Sequence, residues 1–280
     1  MDDEKFERLS LDDSLLIGVT FDLSQPLYLG ERDYDTLVAQ APEAAYVIDV
    51  HSRVDALLTR FESLNIVYKL LSFNSFPVST PSGAISRENW IRITLDVLLS
   101  RLTSIRDCTF LLIAEVFELG LDPKSVKRFQ LKNNTTIAAI PILGNLIDDI
   151  ANIGRSFRDE RDLHLHRGQE RPLGNDPDIY YIASAFEAFG QGIQGNDRSG
   201  NPINLENNHK QIVEQLEKEF TDTARELNNK IHELLDLMYP YFKERFLGKF
   251  TVSGNPNESA VGLIERAEYY NKNYGGGTGN

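Results

Sequence analysis

Residues 86–120, SRENWIRITLDVLLSRLTSIRDCTFLLIAEVFELG, decide the fold class. Ser86 suits an N-cap, because its hydroxyl can accept from the unpaired backbone N–H groups of a first helical turn. Glu88 falls in that turn, where a negative charge meets the positive end of the helix dipole. Ile85 can close on Trp90 as a hydrophobic staple. Ile91, Leu95, Leu98, Leu102, Ile105, Leu112, Val116 and Leu119 then follow the near three-four spacing of one helical face, interrupted at Thr109. Such a stripe suits core packing, and it also suits packing along a partner helix in a bundle or dimer. Gly120 and Pro123 close it.

Helical signals extend on both sides. Pro42–Phe73 lacks internal Gly or Pro and carries Val47, Val50, Val54, Leu57, Leu58, Phe61 and Leu64 at helical spacing. A breaker cluster at Phe76–Gly83 follows. Downstream come a short basic helix over Pro123–Gln130 and an amphipathic helix marked by Leu143, Leu146, Ile147, Ile150, Ile153 and Phe157. The latter is expected to run straight into Arg158–His166 and to stop at Gly168 and Pro172. Asp176 or Asp178 can cap the next helix, through about Phe189. The last long helix covers roughly Leu205–Leu247, with Ile212, Leu216, Phe220, Leu227, Ile231, Leu234 and Met238 on its apolar face and a kink expected at Pro240. Residues 1–42 read as an irregular or β-containing arm, with short extended segments at Leu15–Phe21 and Leu27–Leu29. The expectation is an all-α protein. An N-terminal arm (1–42) precedes a bundle of four to five long helices (43–250), and a flexible tail (251–280) ends in a disordered Gly275–Asn280.

The bulk numbers narrow the function. Apolar residues make up 41% and charged residues 25%, ordinary for a chain that buries a core. A net charge of −13 argues against a surface coated in nucleic acid, so any nucleic-acid contact must be a local basic island. Cys108 is the single cysteine, which rules out an internal disulfide and a cysteine-based zinc site. With an acidic start at Met1-Asp2-Asp3-Glu4 and no apolar run long enough to span a bilayer, the cytoplasm is the expected compartment.

The charge reverses locally at one place. Arg155–Arg171 holds five arginines (Arg155, Arg158, Arg161, Arg167 and Arg171) against four acids, together with His164 and His166, two of the chain's five histidines. These types suit metal-independent RNA cleavage, which needs groups to move protons and to offset charge on the phosphorane. An imidazole can act as base or acid near neutrality, and planar guanidinium forks match phosphate oxygens.

Arg161-Asp162-Leu163-His164-Leu165-His166 resembles the Arg-(Asn/Asp/His)-x3-His signature of HEPN domains, a helical superfamily of nucleotide-binding proteins and RNases. The overlapping string Arg158-Asp159-x4-His164 fits a looser form, and the Arg161/His166 register is favoured. The resemblance is closest to compact standalone HEPN proteins. It implies Arg161, Asp162, His166, Arg158 and His164 as catalytic candidates and Arg155, Arg167 and Arg171 as RNA-binding ones. It further implies a homodimer with both motifs in one cleft, a 2′,3′-cyclic phosphate product, no metal or cofactor, and an antitoxin or other regulatory protein as a possible partner in bacterial defence. Residues five apart sit about 140° around a helix, so Arg161 and His166 converge only if the helix breaks or a second subunit completes the site.

Two other functions fit the same residues: a non-catalytic HEPN-like dimer that binds a protein or nucleotide, and an unrelated helical scaffold. Under the last, Arg155–Asp162 is a solvated face with pairs such as Arg158–Asp162. Asp162, His164 and His166 are poorly spaced for a metal on a helix, and Glu206–His209 is the only Glu-x-x-His string where a di-iron bundle needs two.

Overall fold

The computed structural model describes residues 8–28, 41–76, 78–80, 83–198, 200–249, 251–252, 255–256 and 258–274. Over these the protein is all-α: α1 (Leu15–Tyr28), α2 (Pro42–Leu71), α3 (Arg87–Val116), α4 (Arg128–Asn133), α5 (Thr135–Ala138), α6 (Pro141–Asn152), α7 (Arg155–Arg167), α8 (Pro177–Ala188), α9 (Leu205–Lys249) and α10 (Glu258–Tyr274). Two minimal antiparallel hairpins interrupt them. One, Val78–Thr80 with Gly83–Ile85, occupies the expected breaker cluster, and the other pairs Thr251–Val252 with Asn255–Pro256.

The helices group into two compact units. The first comprises residues 62–103 and 154–224, and the second residues 8–61, 104–153 and 225–280. The boundaries fall inside α2, α3 and α9 and at the turn between α6 and α7. That turn corrects the expectation of one helix running from Pro141 to His166. Gly154 has φ +65°, a left-handed conformation that glycine adopts without strain, and it stops the helical ladder there.

α3 begins as its sequence dictates, with the Asn89 N–H donating to Ser86 Oγ at 3.1 Å. Trp90 lies beside Phe73, with ring centroids 5.1 Å apart and planes tilted by 38°, and donates its indole N–H to the Leu70 carbonyl at 2.8 Å. The stripe Ile91, Leu95, Leu98, Leu102, Ile105, Leu112 and Val116 is buried within the chain, so it serves as core rather than as a partner face. Thr109 interrupts that stripe without penalty, because its hydroxyl donates to the Ile105 carbonyl at 2.8 Å.

Two expectations in the second unit are corrected. The supposed extended arm at Leu15–Phe21 is helical, and so is Glu258–Tyr274, expected to lie in a flexible tail. Each helix has its reason in the other. Ala260, Ile264 and Ala267 form a narrow buried stripe on α10, and α1 packs against that helix. A Cβ on Gly18 would lie 1.8 Å from Asn271 Oδ1, so glycine permits this approach. Thr20 donates to the Leu16 carbonyl at 2.8 Å, keeping a buried β-branched hydroxyl satisfied inside α1. Residues 1–7, 29–40 and the Gly275–Asn280 tail lie outside the described residues.

α9 carries its expected apolar face, with Ile212, Leu216, Phe220, Leu227, Ile231, Leu234 and Met238 all buried, and continues through Pro240.

Candidate functional site

α7 lies in the first unit, bounded by two left-handed glycines, Gly154 and Gly168. At its C-terminus the Gly168 N–H donates to the His164 carbonyl at 3.0 Å and the Gln169 N–H to the Leu163 carbonyl at 3.4 Å, which caps two otherwise unpaired carbonyls. Phe157 anchors the helix. Its side chain is buried and stacks on Phe220 of α9, with ring centroids 4.4 Å apart and planes 15° apart.

A residue advances 100° around a helix, so the position of Phe157 orients the others. Arg161 and His164 fall on its side and meet α3. Arg161 donates from Nη1 to Thr103 Oγ1 at 2.6 Å, and from Nε and Nη2 to Asp162 Oδ1 at 3.1 and 2.8 Å. Thr103 in turn donates to the Leu99 carbonyl at 2.9 Å, so its hydroxyl is used in both directions. His164 Nε2 lies 3.2 Å from Asp96 Oδ1.

Beyond the helix, Arg171 donates to Glu160 at 2.6 Å and with two nitrogens to Glu219 at 2.9 Å each. Burial works against its charge, but the hydrogen bonds to Glu219 and Glu160 outweigh that and hold its pKa above the ordinary guanidinium value. Arg92 extends the network with ion pairs to Glu88 and Glu170. Arg171 is thus an internal tie, and its expected part in RNA binding is not met by a free guanidinium.

The opposite side of α7 differs. Arg155, His166 and Arg167 are exposed and Arg158 is half-buried. Among the described residues, none of these four side chains has a hydrogen-bond or ion-pair partner. Arg155, Arg158, Asp162 and His166 follow at steps of three, four and four, and so share one outward stripe. The Arg158–Asp162 pair expected from spacing is replaced by Arg161–Asp162.

Within one chain the structure does not bring either motif register together. Arg161 and His166 are about 140° apart around α7, and Arg158 and His164 about 120° apart. In each register one member turns toward α3 and the other toward solvent. The outward pair Arg158 and His166 is separated by about 12 Å along the axis.

A second polar cluster in the same unit escaped the sequence reading. His209, noticed only as half of a failed di-iron pattern, is buried with its Nδ1 2.8 Å from the Tyr180 hydroxyl. Phe76 meets its ring edge at 5.3 Å. Arg87 forms a bidentate pair with Glu187 at 2.8 and 3.0 Å, and its guanidinium stands 5.2 Å over Phe76. Burial, and then the positive charge of Arg87, push the His209 pKa down to about 4. Burial raises the Tyr180 hydroxyl above its ordinary value. The signal missed in the sequence is the aromatic run Phe73–Phe76 beside the start of α3, which faces residues more than a hundred positions away.

Among the described residues no three His, Cys, Asp or Glu side chains group to hold a metal ion, and no helix is long and apolar enough to cross a membrane. Compared with known proteins, the chain matches no family model, no curated protein and no solved structure.

Proposed function

We propose that the outward stripe of α7 binds the phosphodiester backbone of RNA, and that the protein is a cytoplasmic, HEPN-like homodimer that cleaves it without a metal. The observation that carries this reading is that Arg155, Arg158 and Arg167, with His166 beside them, have no side-chain partner among the described residues, on one helix of a chain whose net charge is −13. In such an acidic protein an unpaired guanidinium cluster is a site waiting for an anion.

The roles divide by side. His166 takes or gives a proton at the scissile 2′-hydroxyl or 5′-oxygen, while Arg158 offsets phosphorane charge. Arg161 acts as a positioning residue, since it fixes Asp162 at the centre of the stripe from its anchor on Thr103. Arg158 and His166 leave α7 about 12 Å apart along its axis, at two separate turns of the helix. A two-fold axis near Asp162 would set Arg158 of one copy opposite His166 of the other, which is the arrangement that supports a dimer. An antitoxin or other regulatory protein could cover the same stripe.

The splayed geometry within one chain favours a second reading, a non-catalytic HEPN-like module that binds RNA or nucleotide phosphates. Incubating purified protein with end-labelled RNA in EDTA separates the two. The nuclease reading predicts products ending in 2′,3′-cyclic phosphate, abolished in His166→Ala and largely kept in His164→Ala. Binding with no cleavage leaves the binding module, and cleavage that survives His166→Ala removes the proposed role.

A further inference from the structure

The second unit contains a corner that the reading of α7 does not use. α4, α5 and α6 pack on one another and leave between them an open cavity of about 200 Å³, lined by Lys132, Ile137, Ile140, Pro141, Gly144 and Asn145. That volume is below the range of about 300–1,000 Å³ usual for cofactor and drug-sized ligands, and it suits one apolar side chain.

Three features give the cavity an occupant. The first is charge. Residues 123–147 hold Lys124, Lys127, Arg128 and Lys132 and no acid, in a chain of net charge −13. Arg128 and Lys132 share Asp148, the former at 2.7 Å. Burial opposes the charge on Asp148, but hydrogen bonds from Arg128 and Lys132 outweigh it and hold the carboxyl below its usual range. Lys124 and Lys127 are exposed and have no ion-pair partner among the described residues.

The second feature is an apolar rim. Phe129 is 72% exposed and Ile142 64% exposed. Phe129 precedes the lining residue Lys132 by three positions and Ile142 precedes Asn145 by three, which makes each a neighbour of the cavity on its own helix.

The third is Gly144. Glycine inside a helix weakens it, and a close approach by a neighbour is one reason for it to stand there. Gly18 has one, because a Cβ there would strike Asn271. A Cβ on Gly144 would meet nothing within 4 Å. No neighbour among the described residues requires the glycine, and its missing side chain keeps the cavity open.

We infer that the α4–α6 corner is a docking site for an acidic peptide segment of a partner protein, which inserts one apolar side chain into the cavity while its carboxylates meet Lys124 and Lys127. The apolar side chain supplies anchoring area and the lysines supply orientation and encounter rate. A single-stranded nucleic acid would use the cations and Phe129 but has no group suited to an apolar cavity of this size, so the peptide is favoured.

The test uses the full chain and fluorescence anisotropy with two labelled peptides, each a run of Asp and Glu around a central Leu or Phe. Controls replace the central residue with Ser, or the acids with Lys, and a labelled oligo(U) tests the nucleic-acid alternative. At least one acidic peptide should bind saturably, more weakly as salt rises. The Ser control, the Lys124→Glu/Lys127→Glu protein and the Gly144→Leu protein should each weaken binding about tenfold or more. Gly144→Leu fills the cavity while improving helix propensity, so circular dichroism should show each variant folded as the wild type. No saturable binding of either acidic peptide, undiminished binding to Gly144→Leu, or binding of oligo(U) that Lys124→Glu/Lys127→Glu abolishes and neither peptide displaces would overturn the inference; oligo(U) held on α7 survives that substitution and leaves the peptide result unaffected.

Discussion

The two sides of α7 carry the same residue types to opposite ends. Toward α3 and α9, Arg161 is held by Thr103 and Asp162, His164 lies beside Asp96, and Arg171 beyond the helix is held by Glu160 and Glu219. Toward solvent, Arg155, Arg158, His166 and Arg167 have no side-chain partner among the described residues. The difference comes from rotation alone, since adjacent residues stand 100° apart. A guanidinium already donating to two carboxylates has few hydrogens left for a phosphate, whereas an unpaired one keeps its whole fork. Function and fold are therefore read from the side a residue occupies, and residue type is secondary.

That contrast can be broken most severely at the anchor of the inward side. Phe157→Ala removes a buried ring stacked on Phe220 and should cost about 3–5 kcal/mol, read as a lower urea midpoint. A change within about 0.5 kcal/mol would mean that Phe157 does not set the orientation of α7.

A titration sharpens the contrast between a buried imidazole and an exposed one. The folded pKa of His209, about 4, lies below its unfolded value near 6.5, so the unfolded chain binds the extra proton first. The stabilisation is complete above about pH 6.5 and should be lost as pH falls toward 4, by about 3 kcal/mol in all. Thermal melts across that window should show the loss in wild type and in His166→Ala, and a shallower loss in His209→Phe. An unchanged slope in His209→Phe would place the titrating group elsewhere.

Arg171→Ala tests the inward charges. Its removal strands Glu160 and Glu219 in a half-buried setting and should cost about 2 kcal/mol, less than a fully buried pair. Stability equal to wild type would show that solvent already screens this pair.

Much of the fold was legible because its signals are local. Ser86 caps α3, Asp176 accepts from the Ile179 N–H at the start of α8, and Gly168 ends α7 where their sequence contexts indicate. α1 was illegible because Gly18 and the β-branched run around it suggest extended chain, and only packing against α10 makes a helix worthwhile. The break at Gly154 was lost inside an unbroken apolar pattern. At the candidate site, the Arg and His content was visible, but a motif string counts positions and ignores rotation. The partners that settle each residue, Asp96, Thr103 and Glu219, lie far away in sequence.

The salt dependence of RNA affinity bears most directly on the division of α7. Measured for wild type, for Arg155→Ala/Arg158→Ala/Arg167→Ala and for Arg171→Ala, the slope of log K against log salt counts the phosphates engaged. The triple variant should lose about 2 units of slope, at roughly 0.7 per phosphate on a single strand, while Arg171→Ala keeps the wild-type slope. Equal slopes for wild type and the triple variant, or a loss confined to Arg171→Ala, would contradict the assignment of the outward side to RNA.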